Sequence, residues 1–194
     1  MTQTTTFSSS KCGVDAPLNE PMPDPRKVRL ENGENVLFLD FDGVCNSYEH
    51  GSYVTHDPDD YDVDPDIMYR IREICIRCNA KVVVSSNWRK FPPDGSYRFN
   101  NRRYFNPLKK LYKNIGDLIV GTLTSKPQTS KLDALEMWFD VHPDFDGRYA
   151  IVDDDQWECI QDHWEFRKNL WLTDREFGLT EQDKEEIIKH LGGH

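Results

Sequence analysis

The sequence predicts an α/β domain built on a central, mostly parallel sheet. Short apolar runs typical of buried strands alternate with segments of helical periodicity. Three of these runs end in polar side chains, at residues 40–42, 85–86 and 153–155. Ligands of parallel sheets bind beyond the carboxyl ends of the strands, so these polar ends mark the expected functional site.

The composition limits the possible partners. The chain has 194 residues, which suits one domain, and a net charge of −10 from 24 Lys and Arg against 34 Asp and Glu. A phosphate-bearing partner must therefore be held by local features rather than by overall charge. No run approaches the roughly 20 apolar residues of a spanning helix, so no membrane partner is expected. The start lacks the apolar core of a signal peptide, and the five scattered cysteines indicate no disulfide framework, so we expect a cytoplasmic protein.

The elements are assigned from the amino terminus onwards. Residues 1–33 are rich in Thr, Ser and Pro without periodicity and are expected to be a flexible leader, followed by one domain over 34–194. VLFLD is a buried strand beginning at Val36, and an irregular acidic loop follows over 46–64. Apolar residues spaced by three and four predict a helix over 66–79, with Asp64 as its N-cap.

The second half continues the alternation. KVVVSS, DLIVGT, YAIVDDD and KNLWLTD are predicted strands, and KLDALEMWFDV is a predicted helix. A helix-plus-loop region is expected over 105–118. Thr180 with Asp183 resembles a capping box and opens a last helix over 181–191.

Some chemically reactive or bulky residues are expected to be structural. Cys75 and Cys78 form a CxxC within the first helix, where buried thiols are more common than zinc ligands. Trp157, Trp164 and Trp171 are expected to fill the core.

Acidic residues from separate strands point to a divalent cation. Asp40 and Asp42 lie two residues apart, so both side chains are expected to face one crevice, where unshielded carboxylates would raise each other's pKa. The acidic residues at the end of the YAIVDDD strand, beginning with Asp153 and Asp154, would add to the repulsion between these carboxylates. Mg²⁺ accepts such hard oxygen ligands together with phosphate oxygens. Solvated turn aspartates are the alternative, but the order of DxDG, a strand ending in Ser, a helix-opening lysine and DD favours the metal site.

FLDFDGV, VVVSS, Lys131 and AIVDDD, in this order, resemble the four motifs of the haloacid dehalogenase (HAD) superfamily of phosphohydrolases. The likeness is greatest to the HAD domains of RNA-repair proteins and of polynucleotide kinase-phosphatases, through SSNWR, VGT, the lysine before EMWF and LTD..FGLT. It extends from Val36 to Leu191. It implies a Rossmann-like three-layer sandwich with a small or minimal cap.

The resemblance also implies the roles of the motif residues. Asp40 would be the nucleophile that forms an aspartyl-phosphate, and Asp42 the general acid and base, with its backbone carbonyl on the metal. Ser85 would donate a hydrogen bond to a phosphoryl oxygen, and Lys131 would supply positive charge. Mg²⁺ would be held by four aspartates: Asp40, Asp42, Asp153 and Asp154.

The expected substrate contacts follow the first two motifs. Gly43 allows the chain to turn away from the strand, and the residues after Ser85 would contact the substrate: Ser86, Asn87, Trp88 and Arg89. Val44 stands where many superfamily phosphatases have Thr, and valine also occurs there. Lys126 is the alternative to Lys131 as the lysine of the third motif.

One locally basic, aromatic-rich region extends from Trp88 to Lys113. Aromatic side chains that stack bases, together with cations that follow phosphates, suit single-stranded nucleic acid, although a solvated helix face has a similar composition. We therefore expect a Mg²⁺-dependent phosphatase acting on a nucleic-acid 3′ phosphate, on a single-stranded RNA or DNA end, or on a nucleotide. A metabolite or phosphoprotein phosphatase and a non-catalytic binding module are the alternatives.

Overall fold

The computed structural model describes residues 30–51, 62–90, 96–99, 102–124, 126, 128–154 and 160–193, and gives the backbone alone for 96–99 and 102–105. Short 3₁₀ turns cover Asn87–Lys90 and Ile160–Asp162. The strands and helices follow this order: β1 (Asn35–Leu39), α1 (Pro65–Cys78), β2 (Ala80–Val84), β3 (Ser96–Phe99), β4 (Arg102–Phe105), α2 (Leu108–Ile115), β5 (Ile119–Thr122), α3 (Lys131–Val141), β6 (Tyr149–Asp153), α4 (Trp164–Arg167), β7 (Leu170–Leu172) and α5 (Glu181–Leu191).

The main sheet has the strand order β5-β2-β1-β6-β7, and each neighbouring pair is parallel. β1 lies in the centre between β2 and β6, so the carboxyl ends of these three strands meet at one edge. This arrangement confirms the predicted parallel α/β sheet. The antiparallel pair β3–β4 stands apart from it as a second, two-stranded sheet.

Helices cover both faces of the sheet and complete three layers. Alternate residues of β1 point to opposite faces, as in any strand. Leu37 and Leu39 pack in one cluster with buried residues of α1, α2 and α5. Val36 and Phe38 pack in the other cluster, with Trp138 of α3 and with α4. Because both faces are covered, the central strands are apolar throughout, which made them recognisable in the sequence.

The predicted helix starts are confirmed by their caps. The Asp64 carboxylate accepts hydrogen bonds from the amides of Asp66 and Ile67 at the start of α1. Thr180 and Asp183 form the reciprocal capping box of α5. Cys75 and Cys78 are buried in α1, as expected.

Some details differ from the sequence-based expectations. The region 105–118 contains the end of β4 as well as α2, and the pair β3–β4 was not predicted. Trp164 was expected in the core, but it lies 74% exposed on the short helix α4, so that prediction was wrong. Trp171 is half-buried against the core, and Trp157 lies outside the described residues. Within the described ranges, no helix has the length and apolar character needed to cross a bilayer.

Candidate active site

The three central strands bring distant polar residues to one edge of the sheet. The Asp40 amide donates to the Val152 carbonyl (3.0 Å), and the Ser85 amide donates to the Leu39 carbonyl (2.8 Å). These bonds extend the hydrogen bonding between strands by one residue beyond β1 and β2. Asp153 is the last residue of β6. The backbone at all three positions is therefore fixed by the sheet.

A carboxylate cluster lies at this edge. Asp40, Asp153 and Asp154 each offer one oxygen, and these oxygens lie within 4.8 Å of one another. Asp40 and Asp153 are buried, and Asp154 is half-buried. Hard oxygen donors at this spacing suit Mg²⁺, so the residues fit the ion that the sequence predicted. The structure brings together the carboxylates of three of the four predicted ligands. The fourth, Asp42, was predicted to reach the ion through its backbone carbonyl, and its side chain bonds to Trp88.

Lys131 bridges two members of the carboxylate cluster. Its Nζ lies 3.1 Å from Asp40 Oδ2 and 2.5 Å from Asp153 Oδ2. Lys131 is the first residue of α3, and Ser130 caps that helix by accepting from the Asp133 amide. The side chain is 1% exposed. Burial disfavours the charged ammonium, but the two carboxylates outweigh it and raise the pKa of Lys131 above its ordinary range.

The alternative lysine occupies a different environment, because Lys126 is exposed. The structure thus places Lys131, and not Lys126, in contact with Asp40.

Asp42 is held by a tryptophan. The indole Nε1 of Trp88 donates to Asp42 Oδ2 at 2.7 Å. Burial, followed by the negative charge of Asp40, raises the pKa of Asp42 to about 7, and the Trp88 hydrogen bond opposes this rise. The charge of Asp154 adds to it, and the nearby Asn46 carboxamide opposes it. A carboxyl group with this pKa exchanges a proton readily near neutral pH.

Because Gly43 has no side chain, the backbone of the turn can lie close to the carboxylate cluster. Its φ of +66° is in the left-handed region, and a Cβ there would collide with Asp154 and with the side chain of Arg175. The Gly43 amide donates to Asn46 Oδ1 (2.7 Å), and its carbonyl accepts from Thr173 Oγ1 (2.8 Å). The turn after Asp42 is therefore fixed by hydrogen bonds to the side chains of Asn46 and Thr173. It also requires a residue without a side chain at position 43.

Arg175 forms an ion pair with Asp154 through its Nε. Burial and the charge of Asp40 raise the pKa of Asp154, and Arg175 opposes this rise. Sequence reasoning did not assign a role to Arg175, Thr173 or Asn46. Thr173 and Arg175 follow β7, which ends at the same edge of the sheet as β6. Their position after a predicted parallel strand is the signal by which the sequence could have identified them.

The hydroxyl group of Ser85 makes no hydrogen bond to the described residues. The side chain is fully buried, and its Oγ has no hydrogen-bond partner among the described residues. A buried hydroxyl without a partner is costly unless a bound group satisfies it.

The turn after Ser85 contains the other predicted substrate contacts. Ser86 is buried, and its Oγ accepts from the Trp88 amide (3.3 Å), whereas Asn87 is exposed. Arg89 is 1% exposed, and its guanidinium donates to the carbonyls of Ser85 (2.7 Å), Ser86 (3.0 Å) and Thr124 (3.0 Å). These contacts hold the turn in place, and the predicted contact of Arg89 with substrate stays a prediction.

Comparison with known proteins agrees with this geometry. The family model described as the HAD domain in Swiss Army Knife RNA repair proteins matches residues 36–184, well over half of the chain. No curated protein and no solved structure gives a significant match. At the level of the superfamily, the match supports a phosphatase-type hydrolase. The chain therefore belongs to the family of HAD domains found in Swiss Army Knife RNA repair proteins.

Proposed function

We propose that this protein is a Mg²⁺-dependent phosphomonoesterase that removes the terminal 3′ phosphate from a nucleic acid through an aspartyl-phosphate intermediate. The contact between the buried Asp40 carboxylate and Lys131, within a cluster of further carboxylates, carries the proposal. A cytoplasmic location is part of it, and the free thiols of Cys45, Cys75 and Cys78 agree with a reducing compartment.

The reaction proceeds in two steps. In the first, an Asp40 oxygen attacks phosphorus, the bond between phosphorus and the leaving oxygen breaks, and Asp42 gives its proton to that oxygen. In the second, water attacks phosphorus, Asp42 takes the proton of that water, and the bond to Asp40 breaks to release inorganic phosphate. Lys131 contacts Asp40 and places positive charge beside the reacting group.

The carboxylate cluster would hold Mg²⁺ through Asp40, Asp153 and Asp154, with the backbone carbonyl of Asp42 as a further ligand. When bound, the ion supplies positive charge that offsets the charge on the phosphoryl oxygens. Among the described residues, the cations in contact with these three carboxylates are Lys131 and Arg175. Among these described groups, three carboxylates face two cations, and the remaining negative charge favours a further cation.

The Ser85 hydroxyl supplies a hydrogen bond to a phosphoryl oxygen, which gives its buried Oγ the partner that it lacks among the described residues. Gly43 lets the backbone of the turn approach the same group, and Ser86 and Asn87 lie on the adjoining turn.

The insertion between β2 and α2 supports a nucleic-acid substrate. It follows Lys90 in the sequence and precedes Asn106, whose Nδ2 donates to the Trp88 carbonyl (3.0 Å). Both ends of the insertion are thus anchored next to the residue that contacts Asp42. Within it, Tyr97 is the register partner of Tyr104, and Arg98 is the partner of Arg103. Aromatic and basic residues in one structural unit suit the bases and phosphates of a single strand.

The activity is tested with the purified full chain and p-nitrophenyl phosphate. We expect turnover with Mg²⁺, none with EDTA, and none in Asp40→Asn. Asp140→Asn, which alters an exposed aspartate of α3, is the matched control and keeps full turnover. The absence of turnover by the wild type with any divalent metal would instead support the non-catalytic binding module.

The substrate is tested by comparing one oligonucleotide with a 3′ phosphate, a 5′ phosphate or neither, alongside mononucleotides, a phosphopeptide and a sugar phosphate. We expect the highest kcat/KM for the 3′-phosphorylated oligonucleotide. A preference for free mononucleotides, for the phosphopeptide or for the sugar phosphate would refute the nucleic-acid part of the proposal and leave the phosphatase part intact.

A further inference from the structure

The position of Trp88 suggests a role other than base stacking. Its indole Nε1 lies 2.7 Å from Asp42 Oδ2, a short distance for a hydrogen bond from nitrogen to oxygen. Among the described residues, Asp42 Oδ1 has no hydrogen-bond partner. The indole therefore contacts one oxygen of the carboxyl group and leaves the other to carry and transfer a proton.

Trp88 is itself held from several sides. Its amide donates to Ser86 Oγ (3.3 Å), and its carbonyl accepts from Asn106 Nδ2 (3.0 Å). The Asn106 side chain is 1% exposed and also accepts from the Leu108 amide at the start of α2 (3.0 Å). The half-buried indole packs against the core cluster that contains α1 and α2. The N–H group of Trp88 is thus a donor with a fixed position.

We infer that Trp88 is the positioning residue for Asp42: its indole N–H fixes the carboxyl group so that Oδ1 delivers the proton to the leaving oxygen. This inference rests on the proposed phosphatase function. During the first step, the Oδ1–H bond breaks as the leaving oxygen separates from phosphorus and receives that proton. A misplaced Asp42 slows proton delivery without affecting the attack by Asp40.

The dependence of the rate on the leaving group distinguishes a positioning role of Trp88 from a base-stacking role. A poor leaving group such as phenolate needs the proton more than p-nitrophenolate does, because it carries more charge on oxygen as the bond breaks. Substituted phenyl phosphates have rings of similar size, so a stacking contact would affect all of them alike. The parameter kcat/KM includes the steps up to release of the phenol and excludes hydrolysis of the aspartyl-phosphate.

The test compares wild type with Trp88→Phe, which keeps an aromatic ring and removes the N–H donor. We expect the loss of kcat/KM to grow along the series, with phenyl phosphate losing about 10-fold more than p-nitrophenyl phosphate, as expected for one hydrogen bond to a charged group. Trp164→Phe, on an exposed tryptophan far along the chain, is the control and keeps the wild-type dependence on the leaving group.

A second measurement keeps the inference testable if Trp88→Phe folds poorly. In ¹⁵N spectra, the indole resonance of Trp88 should shift upfield in Asp42→Ala and exchange its proton faster, while those of the other tryptophans stay in place. An unmoved Trp88 resonance, or an equal loss of kcat/KM for all phenyl phosphates, would overturn the inference and leave the phosphatase proposal standing. Wild-type protein that is inactive on every phenyl phosphate would overturn both.

Discussion

The Nζ of Lys131 lies 3.1 Å from Oδ2 of Asp40, and both side chains are buried. A lysine at the start of α3 is thus paired with a carboxylate that directly follows β1, 91 residues earlier. Neither charge would be tolerated here alone, because a buried ion without a partner is strongly destabilising. The pair therefore links the folding of the domain to the chemistry proposed for it.

Replacing Lys131 by Met should reduce both stability and activity. It leaves Asp40 and Asp153 without their shared cation, so we expect the free energy of unfolding in EDTA to fall by about 3 kcal/mol. We expect kcat to fall by about 100-fold or more. Urea unfolding and phosphatase assays measure these effects. Lys126→Met is the control, and an equal loss in that variant would show that the exposed lysine also serves the site.

The pH dependence of the free energy of unfolding should reveal the raised pKa of Asp42. Its pKa is 3.8 in the unfolded chain and about 7 in the folded protein, so the folded state binds the extra proton between these values. Its contribution to stability is therefore complete below pH 3.8, is lost as the pH rises towards 7, and stays constant above that. Allowing for partial solvent exposure, we expect a loss of about 2 kcal/mol.

The measurement compares urea unfolding of wild type and Asp42→Asn in EDTA between pH 4 and 8. The variant should lack this part of the decline and should gain stability relative to wild type as the pH rises. Asp140→Asn should follow wild type. Parallel curves for wild type and Asp42→Asn would mean that Asp42 titrates normally in the folded protein.

Removing the guanidinium of Arg175 should strengthen Mg²⁺ binding. Arg175 is bonded to an oxygen of Asp154, and its side chain is 49% exposed, so the pair adds only about 0.5 kcal/mol to stability. Without this positive charge, the carboxylate cluster is more negative, and we expect Arg175→Ala to bind Mg²⁺ about 3- to 10-fold more tightly. Calorimetric titration measures the affinity. Arg167→Ala, on the exposed side of α4, is the control, and weaker binding by Arg175→Ala would show that Arg175 orders Asp154 for the ion.

Replacing Ser85 by Ala should affect catalysis and leave stability nearly unchanged. The Ser85 Oγ is buried without a partner among the described residues, so its removal costs little or slightly stabilises the fold. The loss of a hydrogen bond to the phosphoryl group should lower kcat/KM by about 10- to 100-fold. Thr180→Ala, which removes the cap of α5, should show the opposite pattern, a loss of about 1 kcal/mol with normal activity.

Local sequence predicted the sheet and the carboxylate cluster because both follow from short-range chemistry. A strand buried on both faces is a continuous apolar run, and the polar residues Asp40, Ser85 and Asp153 come directly at or after the ends of such runs. Lys131 was recognisable because it opens a helix. These signals are contained in segments of fewer than ten residues.

Contacts between distant segments could not be predicted in this way. The bond from Trp88 to Asp42 joins residues 46 apart, and the pair of Arg175 with Asp154 depends on the path of the chain after β7. Trp164 was assigned to the core because large aromatic side chains usually lie there. It lies instead on a four-residue helix, too short for its apolar pattern to reveal an exposed face.

The hydrogen bond from Asn106 to the Trp88 carbonyl joins the two flanks of the insertion. This bond links the turn after β2 to the residues just before α2, while the backbone at Asp40 and Asp153 is held by hydrogen bonds of the parallel sheet. We therefore expect the carboxylate cluster to persist when residues 91–105 are replaced, provided that Trp88 and Asn106 are kept. Under the proposed function, such a replacement would alter the choice of polymer and leave hydrolysis of p-nitrophenyl phosphate intact.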